Sequence, residues 1–460
     1  MRPAVLRTGE LFEATCSALD DDGSGVAEMT IGQESLRVHI AGVLPGEHVR
    51  ACLDHVSVHR RGSWREAWAS LREILSPSSE RVAAVCPAYG ACGGCTLMAL
   101  AYPAQLALKT EKVRAELAQH EALAALSVEA CAPSPRVLGY RNQAKYVYGR
   151  ERASGRPVLG GFAPRSHDLV DLTACQLVEP VLDEARGALL AILVERSVDP
   201  FDEIRRTGLL RYAILRATAA GQIMATLVVA RNPSFDAVAI AAALRERCPA
   251  VVSVVLNVNS GTGNALFGEA ETQLSGPSTV EDTIGDVRVR LSSRSFFQAN
   301  RGVASSIYRA IAASVPEGIA CAVDAYAGAG GIALSLAAKA REVVAIEASA
   351  AATGAATDFL AEGSMGRIRT VTGDAGTCLE QIASADTVVL NPPRKGCDER
   401  VLAALARLRP PTLLYLSCNP RTLARDLALL VSAGAKVVRV SPFDMMPHTS
   451  HVETLTVLRF

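Results

Sequence analysis

Leu413-Leu414-Tyr415-Leu416-Ser417-Cys418-Asn419-Pro420-Arg421 decides how the second half of this chain is read. Four apolar residues read as a buried strand. The strand stops at a Ser-Cys-Asn-Pro turn, and a helical pattern is expected from Thr422. In open α/β sheets ligands gather at the carboxyl ends of strands. Cys418 sits at such an end, within reach of a substrate. An isolated cysteine is more often a buried structural thiol, so its neighbours have to decide between the two.

Outward from that stretch, strand–helix units repeat from Ala320 onward. Strands are expected at Ala322–Ala325, Val343–Glu347, Ile368–Thr372, Thr387–Leu390, Leu413–Leu416, Val437–Val440 and Glu453–Leu458. That pattern predicts a doubly wound, Rossmann-like α/β sheet. Asp324-Ala325-Tyr326-Ala327-Gly328-Ala329-Gly330-Gly331 follows the first strand, and small residues there let a ligand approach the backbone. Glu347 ends the second strand, where an acid can bind ribose hydroxyls. Asp374, after the third, is placed to meet an adenine. There is no Walker Gly-Lys-Ser/Thr and no dinucleotide glycine pattern, so S-adenosylmethionine fits this loop better than NAD. The fourth strand ends in Asn391-Pro392-Pro393-Arg394-Lys395-Gly396, and the last begins at His451-Val452-Glu453.

The rest of the chain adds three signals. Residues 1–75 alternate short apolar runs with turn residues, which suits a small β-barrel. Arg60, Arg61, Arg65 and Arg72 are interleaved there with Trp64 and Trp68, either as an RNA-stacking face or around core tryptophans. Cys86, Cys92 and Cys95 lie in a Gly/Pro-rich loop at metal-ligand spacing, which suits an iron–sulfur cluster or zinc. Cys175 is preferred to Cys131 as a fourth ligand. From Arg136 to Arg165 seven basic residues (136, 141, 145, 150, 152, 156, 165) face one acid, Glu151. In a chain of zero formal net charge this is the best candidate for a phosphate-contacting strip. Helical periodicity runs from Lys109 to Leu126, residues 186–275 read as an α+β unit, and Asn259–Asn264 reads as a loop. At Ser295-Phe296-Phe297-Gln298-Ala299-Asn300, aromatics and amides precede a helix from about Gly302. Apolar content of 49% allows real cores. No apolar run approaches the ~18 residues of a membrane span. The amino terminus has no signal-peptide core, so a cytoplasmic protein without disulfides is expected.

With these motifs together the chain resembles the RNA 5-methyluridine methyltransferases, in particular the iron–sulfur branch similar to the 23S ribosomal RNA (uracil-5-)-methyltransferases. The likeness runs over nearly the whole chain. It rests on the Cys86/Cys92/Cys95/Cys175 set, Phe296-x-Gln298, Asp324 to Gly330, Pro-Pro-Arg-x-Gly, Ser417-Cys418-Asn419-Pro420 and His451-Val452-Glu453. It implies an OB-like TRAM barrel (1–75), a central α+β domain carrying the cluster loop (76–300) and a methyltransferase domain (301–460). It further implies Cys418 as nucleophile and Glu453 as base. Gln298, Asp324, Tyr326, Gly328, Glu347, Asp374 and Asn391 would hold S-adenosylmethionine. A [4Fe-4S] cluster is implied on the four cysteines, with zinc the rival. RNA would be met by Phe296, Arg141 and Lys145. Ribosomal RNA is the favoured partner, transfer RNA the alternative, and a monomer the default. One residue departs from the family: Asn391 stands where Asp is usual, and Asn-Pro-Pro is also the pattern of amino-methyltransferases.

Overall fold

Seven strands at the carboxyl end form the sheet that positions the candidate site. They are β16 (Ile319–Ala325), β17 (Ala340–Glu347), β18 (Ile368–Thr372), β19 (Thr387–Leu390), β20 (Thr412–Ser417), β21 (Lys436–Phe443) and β22 (Glu453–Arg459). In this computed structural model the described residues are 7–349, 359–360 and 366–460, without 32–33, 153, 165, 233–235 and 264. Arg165 of the basic strip and Asn264 therefore lie outside them. The sheet order is β18-β17-β16-β19-β20-β22-β21. Strands β16 to β20 pair in parallel, and β22 is antiparallel to both of its neighbours. All seven expected strands are present, most of them a few residues longer than the apolar runs alone suggested.

By its contacts the chain divides into two units: Met1–Leu108 with Ala163–Arg165 and Met446–Ser450, and the remainder. The first unit holds β1 (Leu11–Thr15), β2 (Ala18–Leu19), β3 (Gly25–Ile31), β4 (Glu34–Ile40), β5 (His48–Arg61) and β6 (Trp64–Ser76). Their order is β1-β5-β6-β4-β3-β2. Strands β1 and β2 are one stretch broken only at Cys16-Ser17, so both ends of the sheet meet in the same segment and the sheet closes as a barrel. Full closure removes the sheet edges. Val38, Ile40, Val49, Leu53 and Ala67 fill the interior. The tryptophans are outside it. Trp68 is stacked between His39 and His55, with ring centroids 5.5 and 5.8 Å away, and Arg37 lies over Trp64.

The second unit adds a central sheet of β7 (Gln143–Arg150), β8 (Pro157–Phe162), β9 (Leu169–Asp171), β10 (Leu210–Ala217), β11 (Ile223–Val229), β12 (Val251–Val258) and β13 (Ala270–Ser275). Helices Pro180–Glu195 and Ala237–Arg247 bury their apolar faces against one side of it. A hairpin of β14 (Thr279–Ile284) and β15 (Val287–Ser292) leads to helix Arg301–Ser314. Among the described residues no helix is long and apolar enough to cross a membrane.

The helix expected from Lys109 begins earlier, at Tyr102, and ends at Ala118. Pro103 falls in its first turn, where a missing N–H costs nothing. Lys109 is thereby buried in a salt bridge with Asp444, both side chains fully enclosed. Cys131 lies close enough for its thiol to be pushed up to about 12, by burial first and by Asp444 second. Removing one partner of a buried pair leaves an uncompensated charge. Asp444→Ala is expected to destabilise the protein by about 3–5 kcal/mol, and Lys109→Met/Asp444→Leu by clearly less. Denaturant titration of the three proteins checks this.

Candidate active site

Register places the site at one edge of the sheet. Ala325 pairs with Ile346 on one side and Leu390 on the other, and Leu390 pairs with Tyr415. The next residues, Tyr326, Glu347, Asn391 and Leu416, therefore stand in one row at the strand ends. β16 lies between β17 and β19, where the winding reverses, and a crevice forms at such a point.

A cavity of ≈ 40 Å3 lies there, bordered by Phe296, Gln298, Tyr308, Tyr326, Gly328 and Asn391, among others. That is far below the ~300–1,000 Å3 of a typical ligand site. Phe296 is 69% exposed at the site. Gln298 is held by its carbonyl, which accepts from Asn142 Nδ2 at 2.8 Å. Asn300 is turned away from the cavity; it caps helix Arg301–Ser314 and bonds Ser134 and the Met445 carbonyl. Tyr326 and Gly330 take positive φ of 67° and 80°. A side chain at Gly331 would meet the Tyr308 hydroxyl at 2.5 Å, which explains the glycine there.

The acids of the Gly loop differ in their surroundings. Asp324 is fully buried, and neither carboxylate oxygen has a well-formed hydrogen bond. Burial pushes it up to about 8, against a smaller pull from the Ala333 N–H. Glu347 braces the loop, accepting from Gly328 N–H at 2.9 Å and from Ser349 N–H at 2.8 Å. Asp374 caps helix Ala375–Glu380, accepting from the Thr377 N–H and hydroxyl at 3.0 Å. Those bonds hold its carboxyl below the ordinary range.

Cys418 and Glu453 are brought together by the reversed strand. Ser417 pairs with Thr454, so the same register carried one residue further sets Cys418 opposite Glu453. The helix after Cys418 starts at Pro420 rather than Thr422, with Asn419 as its cap. Asn419 Nδ2 donates to the Arg394 carbonyl at 2.9 Å, tying the two loops together. Burial pushes the Cys418 thiol up, the Glu453 charge adds to that, and the Arg394 guanidinium opposes it. Burial likewise pushes Glu453 up to about 7, against Arg394. Arg394 Nη2 is 2.9 Å from His451 Nδ1. Arg421, the other cation considered for the thiol, turns instead toward Glu116 at 3.7 Å. Cys397 is 5% exposed and pushed up to about 12 by burial, which leaves Cys418 as the accessible thiol.

Sequence reasoning missed Asp426. This buried carboxylate accepts from Cys397 N–H (2.8 Å), Tyr415 hydroxyl (2.6 Å) and Arg425 Nε (2.7 Å). It thereby fixes the Pro-Pro-Arg-Lys-Gly turn against helix Pro420–Ser432. Gly396, at φ 78°, passes so close that a Cβ would meet Asp426 Oδ2 at 2.6 Å. A signal was present: Asp426 falls on the apolar stripe of Leu423, Leu427 and Leu430, and a charge there needs buried partners.

The remaining candidates lie elsewhere. Lys145 is exposed on β7 with its ammonium 4.6 Å from the Tyr212 ring centroid. Arg141 bridges Val178 and Asn300 through its backbone. Arg152 and Arg156 are paired with Asp168 and Glu151, which takes some charge out of the strip. Cys86, Cys92, Cys95 and Cys175 are part-exposed and in no disulfide. Cys92 Sγ accepts from Gly94 N–H at 3.4 Å, a contact that suits a thiolate ligand. Among the described residues no three His, Cys, Asp or Glu side chains are gathered as a metal site. The donor types of these cysteines fit a soft metal.

Residues 278–459 match the family model described as tRNA (Uracil-5-)-methyltransferase. An uncharacterized RNA methyltransferase of Geobacter sulfurreducens is 37% identical over 463 residues, covering 98% of this chain and 90% of the relative. One of Listeria innocua is 32% identical over 473 residues, covering 100% and 99%. The crystal structure of Pyrococcus abyssi tRNA (uracil-54, C5)-methyltransferase in complex with S-adenosyl-L-homocysteine shares the fold, with a TM-score of 0.75 at 24% identity, covering 97% of this chain and 100% of that one.

The electrostatics around Cys418 predict opposite shifts from its two charged neighbours. Glu453→Gln removes a negative charge and should move Cys418 alkylation to lower pH. Arg394→Met removes a positive one and should move it to higher pH. Peptide-resolved iodoacetamide labelling across pH 6–10, an ordinary range for titrating a thiol, measures both.

Proposed function

This chain belongs to the RNA uracil-5-methyltransferase family, and from that premise we propose that it transfers a methyl group from S-adenosylmethionine to C5 of a uridine in RNA. The observation that carries the reading is the pairing of Cys418 with Glu453 across two strands, with Arg394 beside both. Bound S-adenosylmethionine supplies an electrophilic methyl group on a sulfonium.

C5 of uracil is a poor nucleophile. Attack of the Cys418 thiolate on C6 gives an enolate with its charge on O4 and its electron density at C5, which then takes the methyl. Covalent attack divides one hard step into easier ones. Glu453 removes the C5 proton, the C5–C6 double bond re-forms and the thiolate leaves. A carboxyl pushed up to about 7 is poised to accept a proton near neutral pH. Arg394 supplies the positive charge that favours the thiolate, assisted by the amino end of helix Pro420–Ser432. The uridine must leave its stack to reach the thiol, and exposed Phe296 offers a surface for the extruded base.

Gln298, Tyr326, Gly328 and Asn391 border the cavity mouth and would hold the methyl donor. Asp324, buried without good partners, suits the donor's ammonium group. Glu347 acts through the loop it braces, with its remaining lone pairs directed to a ribose; Asp374 stands at the adenine end. Ribosomal RNA is the favoured substrate, on the likeness to the iron–sulfur branch. Transfer RNA, named in the family model and in the Pyrococcus protein's title, is the alternative. In the first case Cys86, Cys92 and Cys95, with Cys175 as fourth ligand, would hold a structural four-iron cluster.

Cys418→Ala should abolish methyl transfer and retain S-adenosylmethionine binding. Glu453→Gln should form the RNA adduct and accumulate it, seen as a denaturation-resistant band. Near-normal turnover by Cys418→Ala would overturn the mechanism. Methyl-labelled donor with unmodified ribosomal or transfer RNA should place label in 5-methyluridine from one pool. Label in a methylated adenosine or guanosine would instead assign an amino-methyltransferase and make Asn391 its key residue. Protein purified without oxygen should carry about four iron and four sulfide per chain, and Cys92→Ser should lose them; stoichiometric zinc would replace the cluster assignment.

A further inference from the structure

The central sheet carries a feature that the chemistry above does not use. Ahead of β10 the loop 202–207 is closed by hydrogen bonds of its own backbone. Asp202 Oδ1 accepts from the N–H groups of Ile204 and Arg205, both at 2.9 Å. Asp202 N–H donates to the Thr207 carbonyl at 2.8 Å, and Arg206 N–H donates to the Asp202 carbonyl at 2.7 Å. Arg211, almost fully buried, grips Glu203 with two nitrogens and also donates to the carbonyls of Asn259 and Gly261. The loop is therefore braced, and its exposed side chains include Ile204, 88% exposed, Arg205, 81% exposed, and Arg206. Among the described residues no acid of the loop is paired with Arg206. Glu203 is engaged by Arg211, and Arg205 reaches Asp202 only at 3.9 Å.

Strand register connects this loop to the candidate site. Arg216 pairs with Gln143, Ile214 with Lys145 and Tyr212 with Val147. Side chains two apart share a face, so Arg216, Ile214 and Tyr212 line the same side as Gln143, Lys145 and Val147. At one end of that row Arg216 bonds the Ser295 carbonyl, next to Phe296. At the other, Tyr212 lies under Lys145 and beside Arg211, which holds the loop. The row spans about 13 Å at ~3.3 Å per residue. An exposed isoleucine followed directly by two arginines suits insertion between bases, with the cations on neighbouring phosphates.

We infer that Ile204, Arg205, Arg206 and Lys145 form an RNA-contacting tract leading away from Phe296, in which Ile204 is an apolar wedge and the cations hold phosphates. This rests on the reading of the protein as an RNA-modifying enzyme. The test is equilibrium binding of labelled, unmodified ribosomal and transfer RNA over a range of salt, which needs no turnover. A failure to methylate uridine would therefore be seen separately. Arg205→Ala/Arg206→Ala should weaken binding and lower the salt slope by about 2, one unit per lost phosphate contact. Ile204→Ala should weaken binding several-fold with its slope unchanged. Retained methyl-donor binding and melting temperature show that the variants are folded. A wild-type slope in the double variant, or wild-type affinity in Ile204→Ala, overturns the tract and leaves the loop to a protein partner.

Discussion

The antiparallel ladder between β20 and β22 is the constraint on which the rest depends. Cys418 and Glu453 are 35 positions apart in sequence. A parallel partner beside β20 would present its own carboxyl end at this edge of the sheet. A reversed strand brings its first residue there instead, so the residue that follows β20 faces the first residue of β22. The ladder is buried: Thr412 to Leu416 and Thr454 to Leu458 are all nearly inaccessible. A one-residue slip would turn Glu453 to the other face of the sheet, and the apolar side chains on both strands resist it.

Electrostatics follow from that placement. Three ionisable groups, Cys418, Glu453 and Arg394, share a site from which water is partly excluded. Burial pushes both the thiol and the acid toward their neutral forms; Arg394 opposes it for both. The two anions compete for one cation, so their titrations are coupled and a pH profile reports the set rather than either residue. Arg394 can serve both because its loop is held from behind. Asp426, Arg425 and Asn419 all bond the Arg394–Cys397 backbone. Rigid support of this kind keeps a reacting constellation within the small tolerance that chemistry requires.

Buried arginines do comparable work in the second unit. Arg301 joins Asp282, Glu179 and the Ala217 carbonyl, and so links a hairpin, a helix and the central sheet. Arg216 and Arg211 anchor segments at opposite ends of β10. Arg211 satisfies two backbone carbonyls, and Arg216 and Arg301 one each, alongside their side-chain partners, which a planar five-donor group does better than lysine.

The sequence by itself determined the strands, because apolar runs of four to eight residues between turn residues are local signals. It also determined the barrel's turns and the residue types at the strand ends. Cys418 and the Gly loop could be picked out because each follows such a run, whereas Gln298 and the role of Glu453 came from the resemblance to the RNA 5-methyluridine methyltransferases. Only the tertiary structure decided what those residues touch. Asp426, Tyr308 and Arg394's position beside both the thiol and the acid depend on contacts between segments far apart in the chain. So does the turning of Asn300 into a helix cap and of Arg421 toward Glu116. Periodicity reports which face of an element is apolar; it carries no information on which element covers that face. Burial, and with it the shifted acids, is a property of the assembled fold.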